Sequence, residues 1–552
     1  MNNKNPPKQP PLLVDVLVVG NGPVGATLAA LLGRYGVRTL VLDKTHDVVL
    51  MPRAIVLDNE ALRILQLAGL AEDAFEKVLI PEVRMHSPVL GQFSRANTSG
   101  SLDGHPKLVT FYQPDLEHAM RARYGTFDSV SSMGGMALEG FIEDEEGVTA
   151  SVIGEDGQTY AIRAKYLVGA DGASSKVRTL IGQDFQGSTY AEDWLIVDAC
   201  NRHHTAINHV EFLCNPQRPT PHMPGPGGRE RWEFMLQPGE KREEMEKPEN
   251  VAKLLLPWSS TEEVQIERKA VYRFHARCCK SFQKGRAFLV GDAAHITPPF
   301  VGQGLVTGLR DAANLAWKLA WVLRGQASSA VLASYDAERR PHAQQMINMA
   351  KLMARLVMPR NKLAAFFIHG LMRSLSWTPP TRRFFEELDI KPKNIFKTGL
   401  FQCHRRGDKL IRGGLFPQAW VRDANRQFQL SDDSLGDQLT LVGFGVDPRT
   451  LLDQRHVDLW ASVGGVFLHI GSHGQSREQG SAFLEDLNNA FLPLAKTGTL
   501  VAVRPDRIIM HHSPGDQAAK MVEECLDVLG VVRDSNIQDL STNMHMSIGI
   551  RA

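Results

Sequence analysis

The sequence is short of cysteine, of net charge and of long apolar runs, and each shortage excludes something. Six cysteines are spread over 552 residues, at positions 200, 214, 278, 279, 403 and 525, and none belongs to a C-x-x-C pair. That spacing excludes a thioredoxin-type dithiol and a cysteine-based metal knuckle. The opening stretch Met1–Pro11 is polar and proline-bearing, with no apolar core of signal-peptide length. Scattered cysteines without a leader predict a reducing, cytoplasmic setting. Lysine and arginine total 62 against 61 aspartate and glutamate, a net charge of +1. No electrostatic case for nucleic acid or an anionic membrane surface follows from that balance. No run approaches the ~18 apolar residues of a membrane span. No internal repeat or low-complexity tract interrupts a chain whose length predicts two to four domains.

What is present begins at Asp15. Val16 to Val19 form an apolar run of the kind buried on both faces of a parallel sheet. Gly20, Gly22 and Gly25 follow as G-x-G-x-x-G, and Pro23 to Tyr35 reads as a helix with Val24, Leu28, Leu31 and Leu32 on its inner side. A second strand, Arg38 to Leu42, ends at Asp43, eighteen residues after Gly25. Strand, glycine turn, helix, strand and terminal acid together make a dinucleotide-binding fingerprint. Gly20 permits the turn, Gly22 lets the backbone approach a pyrophosphate, and Gly25 lets the helix sit close on the strand. Asp43 stands where a ribose hydroxyl would be held.

Further along, Arg53 occupies the loop before a helix ending near Leu67, where it either meets a bound anion or is solvated. Gln113 ends a strand and opens a helix with Pro114 in its first turn. Val148 to Ile153 and Gln158 to Ala164 alternate around Gly154–Gly157, a hairpin pattern. The apolar run Tyr166 to Val168 breaks into Asp171-Gly172, with a helix start at Ser174 or Ser175. Residues 185 to 280 turn to short strand-like runs such as Trp194 to Ala199 and Trp232 to Leu236. Pro216 to Gly228 is dense in proline and glycine and predicts a long surface loop or lid. Phe288 to Val290 is again a buried strand, ending in Gly291-Asp292. Gly302-Gln303-Gly304 then opens a long helix with an apolar stripe from Leu305 to Leu323, closed by Gly325. In the tail, Gln438 to Phe444, Val466 to Ile470, Thr499 to Val503 and Ile508 to His511 predict strands. Gln479 to Phe491 predicts a helix, and Arg504–Arg507 a turn.

Three strand-end motifs therefore stand in order: Gly20-x-Gly22-x-x-Gly25, Asp171-Gly172 and Gly291-Asp292. With them, residues 13 to about 400 resemble the group A flavoprotein aromatic hydroxylases, which share the para-hydroxybenzoate hydroxylase fold. Pro52-Arg-Ala-Ile with Asp58–Arg63, Arg231-Trp-Glu-Phe-Met with Pro238-Gly-Glu240, and Arg310-Asp-Ala312 are similar to the branch acting on 3-(3-hydroxyphenyl)propionate. The resemblance implies an α/β protein: a Rossmann-like FAD-binding domain, an inserted antiparallel β-sheet substrate domain and a C-terminal thioredoxin-like domain without redox cysteines. It assigns 1–80, 105–184 and 281–404 to FAD, 81–104 and 185–280 to the substrate layer, 405–424 to a linker and 425–552 to the last domain.

The same resemblance implies site residues. Gly20, Gly22, Pro23, Val24 and Gly25 hold the FAD pyrophosphate, with Asp43 and Lys44 at the adenosine ribose. Asp43 is a departure, since the family usually carries glutamate there. Arg53 and Gln113 contact the flavin, and Asp171-Gly172 serves FAD and NAD(P)H. Asp292 takes the ribityl chain. Pro299, Gly302, Gln303, Gly304, Leu305 and Val306 approach the flavin through backbone N–H groups, Val306 standing where many relatives have asparagine. A positive helix end there would offset the charge of the reduced ring. The implied activity is that of an FAD monooxygenase. NAD(P)H reduces the flavin, O2 forms a C4a-hydroperoxide, and its distal oxygen enters a phenolic ring, with a nearby base assisting phenol ionisation. Epoxidation or ring oxidation of another aromatic or polyketide-like substrate is the alternative. The W-x-W-x-I-P of flavin halogenases is absent. Arg231 is the expected catalytic side chain, alternating with Glu233 on a strand and facing the ring. Arg218 and His222 are expected at the substrate, and His295 reads as structural. The expected partners are a small phenolic substrate and O2, without nucleic acid or membrane, and a homodimer is compatible with the pattern.

Overall fold

A computed structural model describes residues 13–200, 207–258, 264–359, 361–375, 391–402, 409–474 and 482–531. The N-terminal segment, residues 405–408 of the expected linker and the last part of the expected C-terminal domain lie outside the described residues. The fold is mixed α/β and is built on three large sheets.

The first sheet has Leu13–Val19 at its centre, flanked in parallel by Thr39–Leu42 and Thr159–Gly169. Val18 lies opposite Val41 on one side and Val168 on the other, so the strand is interior to the sheet. Val16, Leu17 and Val18 have no exposed surface, as their unbroken apolar run requires. Val130–Met133 and Ala287–Leu289 extend the parallel set. Met136–Glu143 and Val148–Gly154 add an antiparallel edge. The helices Pro23–Arg34 and Gly304–Leu323 pack against each other. The strand ends at Gly20, Asp171 and Gly291 consequently meet at one edge.

The second sheet runs Gly91–Asn97, Glu82–Ser87, Val210–Leu213, Thr220–Gly225, Arg229–Met235, Phe185–Cys200, Gln265–Cys279 and His295–Ile296. It is not wholly antiparallel, because Val210–Leu213 pairs in parallel with Glu82–Ser87. The proline-rich 216–228 segment is not a lid. Thr220–Gly225 is a fully buried interior strand, bonded to neighbours on both sides. Pro221 and Pro224 each leave out one ladder bond, and burial of the strand outweighs that loss. One sheet face carries Trp194, Ile196, Phe212, Met223 and Phe274; the other carries Leu195, Val197, Trp232 and Phe234 under the helix Pro248–Leu255.

The third sheet comprises seven strands between Trp420–Asp423 and Ile509–Pro514. Trp420–Asp423 falls inside the stretch expected as a linker, and it is paired with Phe483–Asp486. The helix expected over 479–491 is not formed: Phe483–Asp486 is a strand, and 479–481 lie outside the described residues. Its alternation is too short to separate strand from helix, and the neighbouring strand Gly465–Ser472 decides.

Buried charge joins the third sheet to the first unit. Arg63 donates to both carboxylate oxygens of Asp432, at 2.7 and 2.8 Å. Glu338 accepts from Arg504 at 2.7 and 2.9 Å and from Lys318 at 2.8 Å. The helix Gly304–Leu323 is thereby buried all round: its apolar stripe faces the first sheet, and Asn314 and Lys318 meet the Glu338 cluster. Among the described residues no helix is long and apolar enough to cross a membrane, and no His/Cys/Asp/Glu group is placed to hold a metal.

Candidate active site

A cavity of about 1210 Å³ runs from the glycine turn at Gly20 to the apolar face of the second sheet. It exceeds the range of an ordinary small-molecule pocket, roughly 300–1,000 Å³, and so has room for a dinucleotide and a further molecule.

At its first end the helix Pro23–Arg34 starts at Gly22 with no side-chain cap and no acid in its first turn. Its free N–H groups and positive dipole end suit an anion. Gly20 has φ +106°, a region that disfavours side chains, and a Cβ there would lie 2.4 Å from the Ala170 carbonyl oxygen. A Cβ on Gly25 would lie 2.0 Å from the Gly20 oxygen. A Cβ on Gly22 would meet no protein atom within 4 Å, since that position opens on the cavity. Asp43 accepts from Asn21 N at 2.7 Å through Oδ2 and from Thr45 N at 2.9 Å and Thr45 Oγ1 at 2.8 Å through Oδ1. Its Oδ2 keeps a lone pair for a ribose hydroxyl. Pro23, Val24 and Lys44 also line this end.

In the middle, Asp292 lines the cavity and is 40% exposed, with Arg53 Nη1 3.9 Å from its Oδ2. Gly172 lines it too, at φ +77°. Asp171 is already engaged: its carboxylate accepts from Lys176 N at 2.7 Å and Val177 N at 3.1 Å, the first N–H groups of the short helix Lys176–Leu180. The helix Gly304–Leu323 also starts without a side-chain cap or first-turn acid. Pro299, Gly302, Gln303, Gly304 and Leu305 line the cavity before it. The Gln303 side chain is fixed between Asp58 Oδ2 at 3.0 Å and Arg310 Nη1 at 3.1 Å. Val306 departs from this group, its side chain buried in the core, so that only its backbone belongs to the turn. Two uncapped helix ends, an open glycine, the Asp43 carboxylate with a lone pair to spare and the Asp292 carboxylate on the wall suit the phosphates and hydroxyls of a dinucleotide.

Gln113 has a structural task at the cavity. Its Oε1 accepts from the backbone N–H groups of Arg53 and Ala54, both at 2.8 Å, and its Nε2 donates to Glu117 at 2.7 Å. Gln113 lines the cavity and holds the Arg53 loop. Arg231 holds the same loop from the opposite side. It lies outside the cavity wall and is 2% exposed. Nε reaches Asp198 Oδ1 at 2.6 Å, while Nη1 and Nη2 donate to the Arg53 and Pro52 carbonyls at 2.9 and 3.0 Å. The strand faces follow the predicted alternation, but the guanidinium is spent on Asp198 and the loop. Its partner was missed because Asp198 sits 33 residues away, on the adjacent strand.

Arg218 and His222 are not at the cavity. Arg218 pairs with Glu240 and donates to the Met235 carbonyl at 2.8 Å. His222 is bound to Glu230 at 2.6 Å and stacks on Trp232, on the back of the sheet. Alternation in Thr220–Gly225 puts Pro221 and Met223 at the cavity instead. His295 is buried against Asp311 at 2.7 Å.

The far end of the cavity is apolar, lined by Met85, Ile196, Phe212, Met223, Phe274 and Phe300. Two charged side chains on this wall are themselves buried: Glu233, 6% exposed, and Arg268, 7% exposed. Arg268 donates to Asp198 Oδ2 at 3.1 Å and to Tyr272 OH at 2.7 Å. Burial pushes the Glu233 carboxyl up to about 7, against the pull of Arg231 and Arg268. The sequence pattern assigns no role in the site to Asp198, Glu233, Arg268 or Tyr272. The available signal was Asp198 itself, a lone acid inside the apolar run Leu195–Cys200.

Comparison with known proteins agrees with this geometry. A family model described as the FAD binding domain matches residues 13–350, and one described as the HcaD C-terminal domain matches 413–528. The chain is 34% identical over 512 residues to 3-(3-hydroxy-phenyl)propionate/3-hydroxycinnamic acid hydroxylase 2 of Burkholderia vietnamiensis, covering 90% of this chain and 93% of that one. It is 36% identical to the 3-(3-hydroxy-phenyl)propionate/3-hydroxycinnamic acid hydroxylase of Mycolicibacterium smegmatis, with 90% of each covered. The fold is similar to that of the flavin-dependent monooxygenase PieE, solved with FAD and substrate, at a TM-score of 0.78, 22% identity, and coverage of 95% of this chain and 100% of PieE. Aklavinone-11 hydroxylase, solved with FAD and aklavinone, gives a TM-score of 0.74 at 23% identity, with 94% and 99% covered.

Proposed function

Because this chain belongs to the family of FAD-dependent aromatic hydroxylases, we propose that it uses NAD(P)H and O2 to hydroxylate a phenolic acid, with 3-(3-hydroxyphenyl)propionate the leading substrate. The observation that carries this reading is the single cavity that joins an uncapped glycine cradle to an apolar chamber with a buried acid and a buried guanidinium. When bound, FAD supplies the electrons and the activated oxygen. The residues of the chain bind, orient and exclude water. Gly20, Gly22 and the Pro23–Arg34 helix end hold the pyrophosphate, Asp43 a ribose, Asp292 the ribityl chain. Gln113, Arg231 and Arg268, the last donating to the Pro52 carbonyl, fix the Arg53 loop between them, so Arg53 is presented at the flavin by backbone bonds rather than by its own length. Phe274, Phe300 and Met223 keep water from the chamber where the ring binds.

The third sheet supports a thioredoxin-like reading of the C-terminal unit. Leu439–Phe444, a helix and Gly465–Ser472 form a parallel pair. Thr499–Val503, Ile509–Pro514 and the helix Ala518–Val528 follow as an antiparallel pair and a helix. Its cysteine, Cys525, is buried, so the unit serves structure rather than redox exchange. The test is a panel of phenolic acids and one polycyclic phenol, scored for oxygen uptake, NADH and NADPH oxidation and hydroxylated product. Hydroxylation of 3-(3-hydroxyphenyl)propionate above the others is the expected result. Product from the polycyclic phenol alone would refute the phenolic-acid assignment.

A further inference from the structure

We propose that Glu233 is the residue that takes the proton of the substrate's ring hydroxyl. The inference rests on the hydroxylase reading above and adds to it a base for that reaction. Glu233 belongs to Arg229–Met235, where alternation points Arg231, Glu233 and Met235 to one side of the sheet. In the register of the three adjacent strands, Arg231, Asp198 and Arg268 form one cross-strand row. The next row is Glu233, Ile196 and Ala270. Glu233 therefore stands one step past a satisfied ion triad, beside apolar side chains and on the cavity wall.

Buried carboxylates are normally paired or hydrogen-bonded. Asp198, in the neighbouring row, accepts from both Arg231 and Arg268. Glu233 makes no hydrogen bond or ion pair among the described residues, although it is only 6% exposed. A purely structural acid in that position would have been matched with a donor. An unmatched one facing an apolar chamber is matched by a ligand donor, and a phenol offers one O–H. Lifted to about 7 by burial, the carboxyl is ionised for a useful fraction of the time near neutrality and still basic enough to accept a proton.

The step balances without any oxidant. The phenolic O–H bond breaks, an O–H bond forms on the Glu233 carboxylate, and the electron pair stays on the ring oxygen, raising the electron density of the ring. Arg268 lies on the same cavity wall as the developing charge, and after product leaves the carboxylic acid returns its proton to water. The charged groups acting on Glu233 are Arg231 on its own strand, Asp198 on the next and Arg268 on the third, and Tyr272 and Arg53 line the same cavity. Thr220–Gly225 contributes Pro221 and Met223, and the helix Ala333–Val357 contributes Met349 and Met353.

The experiment compares the FAD-loaded wild type with Glu233→Gln, using 3-(3-hydroxyphenyl)propionate and a ring-fluorinated analogue whose hydroxyl is more acidic. The expected result is unchanged FAD content and flavin reduction, and hydroxylation of the parent phenol down roughly a hundredfold, with peroxide in place of product. The rise of the wild-type rate through about pH 7 disappears in the variant, because ionised Glu233 is what the rise reports. The fluorinated analogue restores product formation in Glu233→Gln. That rescue separates a proton acceptor from a residue that merely shapes the wall, and Glu233→Asp, which keeps the base, recovers part of the parent activity. Wild-type hydroxylation rates and an unchanged pH profile in Glu233→Gln overturn the proposal and leave the hydroxylase reading standing. A Glu233→Gln deficit that the acidic analogue does not relieve also overturns it. A wild type that hydroxylates no phenol overturns the hydroxylase reading itself.

Discussion

Replacing Gly22 by alanine separates a glycine kept for a ligand from glycines kept for the fold. Gly22 has φ −75° and ψ −173°, backbone that any residue adopts, and a Cβ there meets no protein atom within 4 Å. The loss in the FAD-free protein is therefore limited to the poorer N-cap of alanine, about 1 kcal/mol or less. The same methyl stands in the cavity, where the first-turn N–H groups would meet a pyrophosphate. Displacing the phosphate weakens one or two charge-assisted hydrogen bonds, about 1.5–3 kcal/mol each. At 1.4 kcal/mol per tenfold, FAD affinity falls at least tenfold. Gly25→Ala makes the opposite pattern. Its Cβ would lie 2.0 Å from the Gly20 oxygen, so strand and helix separate and the FAD-free protein loses stability first. Flavin fluorescence titration gives the affinities, and denaturant unfolding of the FAD-free proteins gives the stabilities. Gly22→Ala with wild-type FAD affinity refutes the reasoning, as does Gly25→Ala with wild-type stability.

Asp292→Ala removes a carboxylate that faces the cavity, and FAD retention should weaken by about 1.5–3 kcal/mol; equal retention on dialysis sinks the assignment. Arg231→Lys keeps a charge for Asp198 but cannot span the Pro52 and Arg53 carbonyls, a loss of two hydrogen bonds at about 1 kcal/mol each. With the Arg53 loop loosened, flavin reduction measured by stopped flow should slow about tenfold, or ~1.4 kcal/mol of barrier; an unchanged reduction rate and unchanged unfolding curve contradict the positioning role. Burial alone would raise the Glu338 carboxyl, but Arg504 and Lys318 hold it well below the usual range. A depressed folded pKa contributes stability above the unfolded value, about 4.3, and loses it as pH falls through the folded value. Glu338→Gln should therefore lower stability at pH 7 and flatten its acid-side decline, and denaturant midpoints from pH 7 to pH 3 that track wild type would refute this.

Local pattern alone determined the βαβ unit at Leu13–Leu42, the hairpin before Asp171, the helix after Gly304 and the three strand-end motifs. The reasons are short-range: two-residue alternation, 3.6-residue periodicity, and Gly25, whose Cβ would strike backbone five residues earlier. The glycine-cradle half of the cavity was legible for the same cause, since a turn suited to an anion is specified by a few adjacent residues. Tertiary structure decided the substrate half. Pro216–Gly228 carries every local mark of a loop, yet Val210–Leu213 and Arg229–Met235 bury Thr220–Gly225 between them. Arg231 was correctly assigned to its strand face, but whether it met flavin or protein depended on Asp198 and on Pro52, which is 179 residues distant. Lys318 reads as the wet side of an amphipathic helix until Glu338 and the third sheet enclose it. Glu233 alternates with Arg231 in sequence, and it is the unmatched acid of the chamber because Asp198 takes that arginine. Charge pairing is settled by which strands become neighbours. That adjacency is a property of the assembled sheet, and no window of sequence contains it.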